Sequence, residues 1–162
     1  MEVKICPIKG LYYLLQEKKQ NNCAAVISSS SEVEAERLTG IPYIVRQYED
    51  IDTEIPGRSF SEEDAMCVLA FLQTLDPKTG TVYCCCDAGQ SRSPAVAAAI
   101  CRYYGLEDLY IWQEPRYHPN MLVFDVLTRV FGRPVSDEEK DRLLYINHRA
   151  FRKAICKTDK NG

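Results

Sequence analysis

A chain of 162 residues with 46% hydrophobic content is long enough to bury a substantial core, and one domain spanning 1–162 is expected. A formal net charge of −3 with acidic and basic residues interleaved argues against nucleic acid or a membrane surface as partner, so any anion affinity has to be local. Nor is there an apolar run of signal-peptide or membrane-span character, which points to the cytoplasm.

Eight cysteines would suit a disulfide framework, but three are consecutive (Cys84, Cys85, Cys86) and a core of this size needs no staples. With only His118 and His148 and no paired CxxC spacing, neither a metal nor any other cofactor is expected.

In chain order, Val3 to Ile5 and Ala24 to Ser28 read as buried strands, with a helix from Leu11 to Lys19 between them that turns Leu11, Leu14 and Leu15 inward. A short charged helix around Glu32 to Leu38 follows, stopped by Gly40 and Pro42. Tyr43 to Tyr48 is the next strand and opens into EDIDTEIPGRS, too polar and too broken by Pro56 and Gly57 to be regular, hence a candidate functional loop. Ser61 with Asp64 three residues on starts a helix whose Ala65, Val68, Leu69 and Leu72 share one face.

The PKTG turn leads to a central strand, Thr81 to Cys85, which breaks into CDAGQ. Ser93 then stands where an N-cap belongs and Pro94 where the first helical residue belongs, ahead of AVAAAICRYY and a stop at Gly105. Asn120 to Phe131 is a further helix. A long one opened by Ser136 and Glu139 carries Leu143, Leu144, Asn147, Ala150, Phe151 and Ile155 on one face. Strands alternating with helices predict an α/β fold, a mainly parallel sheet flanked by helices.

The chemistry concentrates in Cys86-Asp87-Ala88-Gly89-Gln90-Ser91-Arg92-Ser93. A tight loop between a strand's carboxyl end and a helix N-terminus presents unpaired N–H groups and a partial positive charge, a cradle for an anion. Those N–H groups also favour a thiolate at Cys86, the nucleophilic form. The planar fork of Arg92 can hold two oxygens of a phosphate, and the Ser93 hydroxyl can donate to the sulfur.

This segment resembles the CxxGxxRS form of the CX5R signature of the dual-specificity and protein-tyrosine phosphatases. The resemblance extends through the helix at 61–75, the strand at 81–85 and the Pro119-Asn120 pair. It implies a dual-specificity phosphatase-like fold and a reaction through a phosphocysteine intermediate, with the loop 87–92 holding phosphate. It also implies a general-acid aspartate upstream of the cysteine: Asp50 is the candidate, with Asp52 the alternative. One departure is Cys85, where the family usually has a histidine that helps set loop geometry and thiolate reactivity. The expected substrate is a phosphorylated protein or small phosphoester: phosphotyrosine, and phosphoserine or phosphothreonine if the specificity is dual. Asp87 and the lack of a basic residue between Cys86 and Arg92 disfavour a crowded polyanion such as a phosphoinositide.

Two other readings stay open: a phosphate-binding module with weak turnover, and sulfur transfer or arsenate reduction, which needs a resolving cysteine. Around the site, Cys84 and Cys85 read as small buried strand residues, although either could trap an oxidised Cys86. Trp112 and Tyr117 read as core aromatics, His118 as a turn residue, and Arg46 and Arg58 as surface charge rather than a second anion site.

Overall fold

A computed structural model describes residues 1–17 and 22–158. Four strands, β1 (Glu2–Pro7), β2 (Cys23–Ser29), β3 (Tyr43–Gln47) and β4 (Thr81–Cys86), form one sheet in the order β1-β4-β2-β3. All three pairings are parallel, with Cys6 opposite Cys85 and Ser28 opposite Cys86. The two central strands are buried along their whole length, as expected where both faces of a parallel sheet are covered.

Strand periodicity sorts the side chains onto two layers. Val3, Val26, Val82 and Cys84 join the larger core with α2 (Glu62–Thr74), α3 (Arg92–Tyr103) and α5 (Met121–Val130). Ala25, Ile27, Tyr83 and Cys85 meet Leu11 and Tyr12 of α1 (Ile8–Gln16) and Leu38 of a 3₁₀ turn at Ala35–Leu38 on the other face. Alanines at 95 and 97–99, all fully buried, give α3 a flat surface, so its backbone packs close to the sheet and its first residue meets the end of β4.

Several elements differ from their sequence expectations. The first helix begins three residues early, at Ile8, and its expected end at Lys18 and Lys19 lies outside the described residues. The charged segment 32–38 forms only the 3₁₀ turn. A short helix, α4 (Leu109–Gln113), was not expected. It buries Trp112 completely, edge-on to Phe124 with ring centroids 5.1 Å apart, so Trp112 is a core aromatic.

The capping residues of α2 act as the sequence suggests, while Asn120, expected as the first helical residue, is the N-cap of α5. Ser61 and Asp64 form a reciprocal capping box, and Asn120 accepts the Val123 N–H at 3.1 Å. The last helix, α6 (Asp137–Thr158), opens with Ser136 accepting the Glu139 N–H. Its face is only partly as expected: Leu143 and Asn147 are buried, whereas Phe151 and Ile155 are exposed. Asn147 donates to the carbonyls of Trp112 and Tyr117, tying α6 to the α4–α5 connection. Among the described residues no helix is long and apolar enough to cross a membrane.

Candidate active site

At the carboxyl end of β4 the chain turns through residues 87–91 into α3, and Gly89 is what lets it do so. Its φ of 72° is in the left-handed region, and a Cβ there would lie 2.8 Å from the Pro7 nitrogen and 3.0 Å from the Cys6 carbonyl carbon, both backbone atoms. The loop thus rests against the end of β1.

On the other side the Gln90 and Ser91 carbonyls accept the N–H groups of His118 (2.8 Å) and Asn120 (3.2 Å). In planar trans peptides, carbonyls turned outward direct the N–H groups of Ser91 and Arg92 toward the interior of the loop. The α4–α5 connection is therefore the outer brace of the cradle. His118 contributes its backbone while its ring packs on Phe151 at 5.2 Å, consistent with a turn residue.

Cys86 is 2% exposed at the base of this loop. Its Sγ accepts the Gly89 N–H at 3.2 Å and lies 3.1 Å from Ser93 Oγ. Ser93 is not the N-cap the sequence suggested: α3 starts at Arg92 with Ser91 as N-cap, so Ser93 lies inside the first turn, where its hydroxyl reaches the sulfur.

Arg92, 4% exposed, enters from the same turn. Its Nη1 donates to Ser30 Oγ (2.8 Å) and to the Tyr48 carbonyl (2.9 Å), and its Nη2 donates to Asp87 Oδ2. Nε is the one buried side-chain nitrogen or oxygen among the described residues with no hydrogen-bond partner. Asp50 Oδ2 stands 3.8 Å from it. Tyr48 is itself fixed through its hydroxyl, which donates to Ser28 Oγ at 2.7 Å, and burial pushes that phenol far above its ordinary range.

Asp50 and Asp52 have different surroundings. Asp50 Oδ1 accepts Ser91 Oγ–H (2.8 Å) and Asn120 Nδ2–H (2.9 Å), which leaves Oδ2 facing the arginine across the cradle. The 49–59 loop is closed behind it by the Glu49 N–H bond to the Arg58 carbonyl and by two Arg58–Glu49 side-chain bonds of 2.7 Å. Asp52 is exposed, and no hydrogen bond or ion pair among the described residues ties it to the cradle.

Arg58 is engaged with Glu49, and Arg46 with Asp64 at the start of α2, so neither stands as a second anion site. Cys84 and Cys85 are fully buried, with thiols pushed well up by burial and, for Cys85, first by its contact with Cys6 at 3.4 Å. Among the described residues no group of three or more His, Cys, Asp or Glu side chains is arranged to hold a metal. Ser30, Tyr48 and Asn120 were missed as site residues. The Pro119-Asn120 pair was the one signal in the sequence.

The four-stranded parallel sheet flanked by helices is the fold of solved dual-specificity and protein-tyrosine phosphatases. Solved structures with this fold include PTPMT1 in complex with PI(5)P, at TM-score 0.54 and 14% identity over 81% of this chain and 90% of that one. Human DUSP28 aligns at TM-score 0.53 and 17% identity over 80% and 91% of the two chains. The PTP-2 phosphatase of Cydia pomonella aligns at 0.54 and 14% over 80% and 85%. The sequence matches no protein-family model and no curated protein.

Proposed function

We propose that this chain hydrolyses phosphate monoesters through a phosphocysteine on Cys86, with phosphotyrosine as the preferred substrate. The observation that carries the reading is the convergence of the Gly89 N–H and Ser93 Oγ on Cys86 Sγ, beside a buried Arg92 whose Nε–H has no hydrogen-bond partner. A buried guanidinium donor left open beside a nucleophile is arranged for an anion that arrives with the substrate.

In the first step the Cys86 thiolate attacks phosphorus in line with the ester oxygen. The P–S bond forms as the P–O bond breaks, and Asp50 gives the proton on Oδ2 to the departing oxygen. Asn120 and Ser91 hold the other carboxyl oxygen, which fixes the direction of that transfer. Arg92 and the inward N–H groups of the loop hold the phosphoryl oxygens as charge redistributes. In the second step water attacks phosphorus and the Asp50 carboxylate takes its proton. The P–S bond breaks, and the Ser93 hydroxyl donates to the departing thiolate.

The near-complete burial of Cys86 favours the long phosphotyrosine arm over phosphoserine or phosphothreonine. The carboxylates of Asp50 and Asp87 at the rim weigh against substrates carrying several adjacent phosphates.

The test is hydrolysis of a phosphotyrosine peptide and an aryl phosphate with EDTA present. Cys86→Ser is expected to be inactive, and Asp50→Ala to lose about two to four orders of magnitude on the slower-leaving ester. Wild-type protein that binds vanadate without turning over ester would instead be a phosphate-binding module.

A further inference from the structure

We propose that Asp87 is the positioning residue of this site: its carboxylate holds the Arg92 guanidinium so that the Nε–H edge, rather than the far end of the fork, faces the bound phosphate. The inference rests on the reading of residues 86–93 as a phosphate cradle and assigns how the cradle's arginine is aimed.

A guanidinium has five N–H bonds in one plane. Nη1 meets two acceptors, Ser30 Oγ and the Tyr48 carbonyl, at the carboxyl ends of β2 and β3. Nη2 meets Asp87 Oδ2, and the same oxygen accepts the Ser30 N–H at 3.3 Å. Ser30 therefore touches both Nη1 and the oxygen that meets Nη2, which places Asp87 at the Nη1 side of the fork. What remains is the Nε–H and the second Nη2 hydrogen, which runs parallel to it. These two form the side-on edge that can grip two oxygens of one phosphoryl group. Nε is the atom left without a partner, and Asp50 lies on its side.

Asp87 is itself anchored, because Ser29 Oγ donates to its Oδ1 at 2.8 Å. Burial raises its carboxyl, but hydrogen bonds from Ser29, Arg92 and the Ser30 N–H outweigh this and hold it below the usual carboxylate value, so it stays charged at neutral pH. The serine run at the end of β2 thereby has a function: Ser29 and Ser30 form the seat on which the Asp87–Arg92 pair rests. The same carboxylate also offsets part of the arginine's charge, so the arginine is better aimed and less attractive to an anion.

Aim and charge separate experimentally. Asp87→Ala removes both, Asp87→Asn keeps an acceptor for Nη2 without the charge, and Asp87→Glu restores a carboxylate on a longer arm. The measurements are kcat and KM on an aryl phosphate, vanadate inhibition, thermal midpoint, and the NMR signal of the Arg92 Nε–H during titration with inorganic phosphate. Asp87→Ala is expected to lower kcat about 10- to 100-fold, the effect of losing one hydrogen bond to a charged group. Its thermal midpoint should barely move, and its Nε–H signal should no longer respond to phosphate. Asp87→Asn should recover a large part of the lost kcat and bind vanadate more tightly than the wild type, and Asp87→Glu should recover part.

Wild-type kinetics and Nε–H response in Asp87→Ala would overturn the inference while leaving the cradle intact. So would equal losses in the three variants that track thermal stability. If the wild type neither turns over ester nor binds vanadate or phosphate, the cradle reading itself fails and this inference falls with it.

Discussion

Replacing Asn120 separates the positioning of Asp50 from the stability of the fold. Its Nδ2 donates to Asp50 Oδ1 and to the Ile51 carbonyl, and its Oδ1 accepts the Val123 N–H as the cap of α5. Asn120→Ala removes the cap and leaves the Val123 N–H unpaired, so a loss of about 1–2 kcal/mol is expected. It also removes one of the two bonds that orient Asp50. A hydrogen bond to a charged group contributes about 1.5–3 kcal/mol, and about 1.4 kcal/mol is tenfold in rate. Since Ser91 still holds the same oxygen at 2.8 Å, the loss belongs at the low end. We expect about tenfold on a slow-leaving aryl phosphate and under threefold on an activated one, because the acid matters only where the leaving group needs its proton.

Asn120→Ser supplies a cap oxygen but is too short to reach Asp50. It should regain most of the stability and little of the activity. The assay is kcat/KM for two aryl phosphates of different leaving-group basicity, beside thermal melts. Equal losses on both esters, or activity restored by serine, would refute the role assigned to Asn120.

Two other expectations follow from the geometry. Gly89→Ala has to move backbone at Pro7 or abandon its left-handed φ, so it should lose at least about a hundredfold in activity while the remaining fold melts within a few degrees of the wild type. That figure assumes about 3 kcal/mol of misalignment at the nucleophile; kinetics within threefold of wild type would contradict it. Limited alkylation near neutral pH, with vanadate protecting Cys86, should label Cys6, whose thiol is lowered by its contact with Cys85, ahead of Cys101. Burial pushes Cys101 up to about 11, so it should remain unlabelled until the pH approaches that value or the chain unfolds. Peptide mass mapping reads the order, and labelling of Cys101 ahead of Cys6 would contradict a buried Cys101.

Local grammar made much of the site legible in advance. The run TVYCCC has the β-forming residues of a central strand, Gly89 the freedom a tight loop needs, and RSPAVAAAI the beginning of a helix, so Cys86 and Arg92 could be placed together from eight consecutive residues. The Ser61/Asp64 box was visible for the same reason, since both partners lie within one turn.

What stayed hidden depends on chain segments meeting in space. Asp50 and Asp52 are alike in sequence, and their surroundings differ only once Ser91, Arg92 and Asn120 are brought to Asp50 by folding. Arg46 and Arg58 looked free because Asp64 and Glu49 are brought to them by folding. The N-cap of α3 shifted to Ser91 because that residue's carbonyl already accepts from Ala95 and Asn120, a tertiary demand that overrides the preference for a capping serine before proline. At five residues, α4 carries too little periodicity to be seen, and packing of Trp112 accounts for it.

The central claim is that phosphate passes through Cys86. Its most direct test is acid-quenched mass spectrometry of the protein mixed with an aryl phosphate, using Asp50→Ala to slow the second step. The account predicts an adduct of about 80 Da on the peptide containing Cys86, formed with a burst of released phenol and absent in Cys86→Ser. Turnover that persists in Cys86→Ser, or an adduct on any other residue, would contradict it.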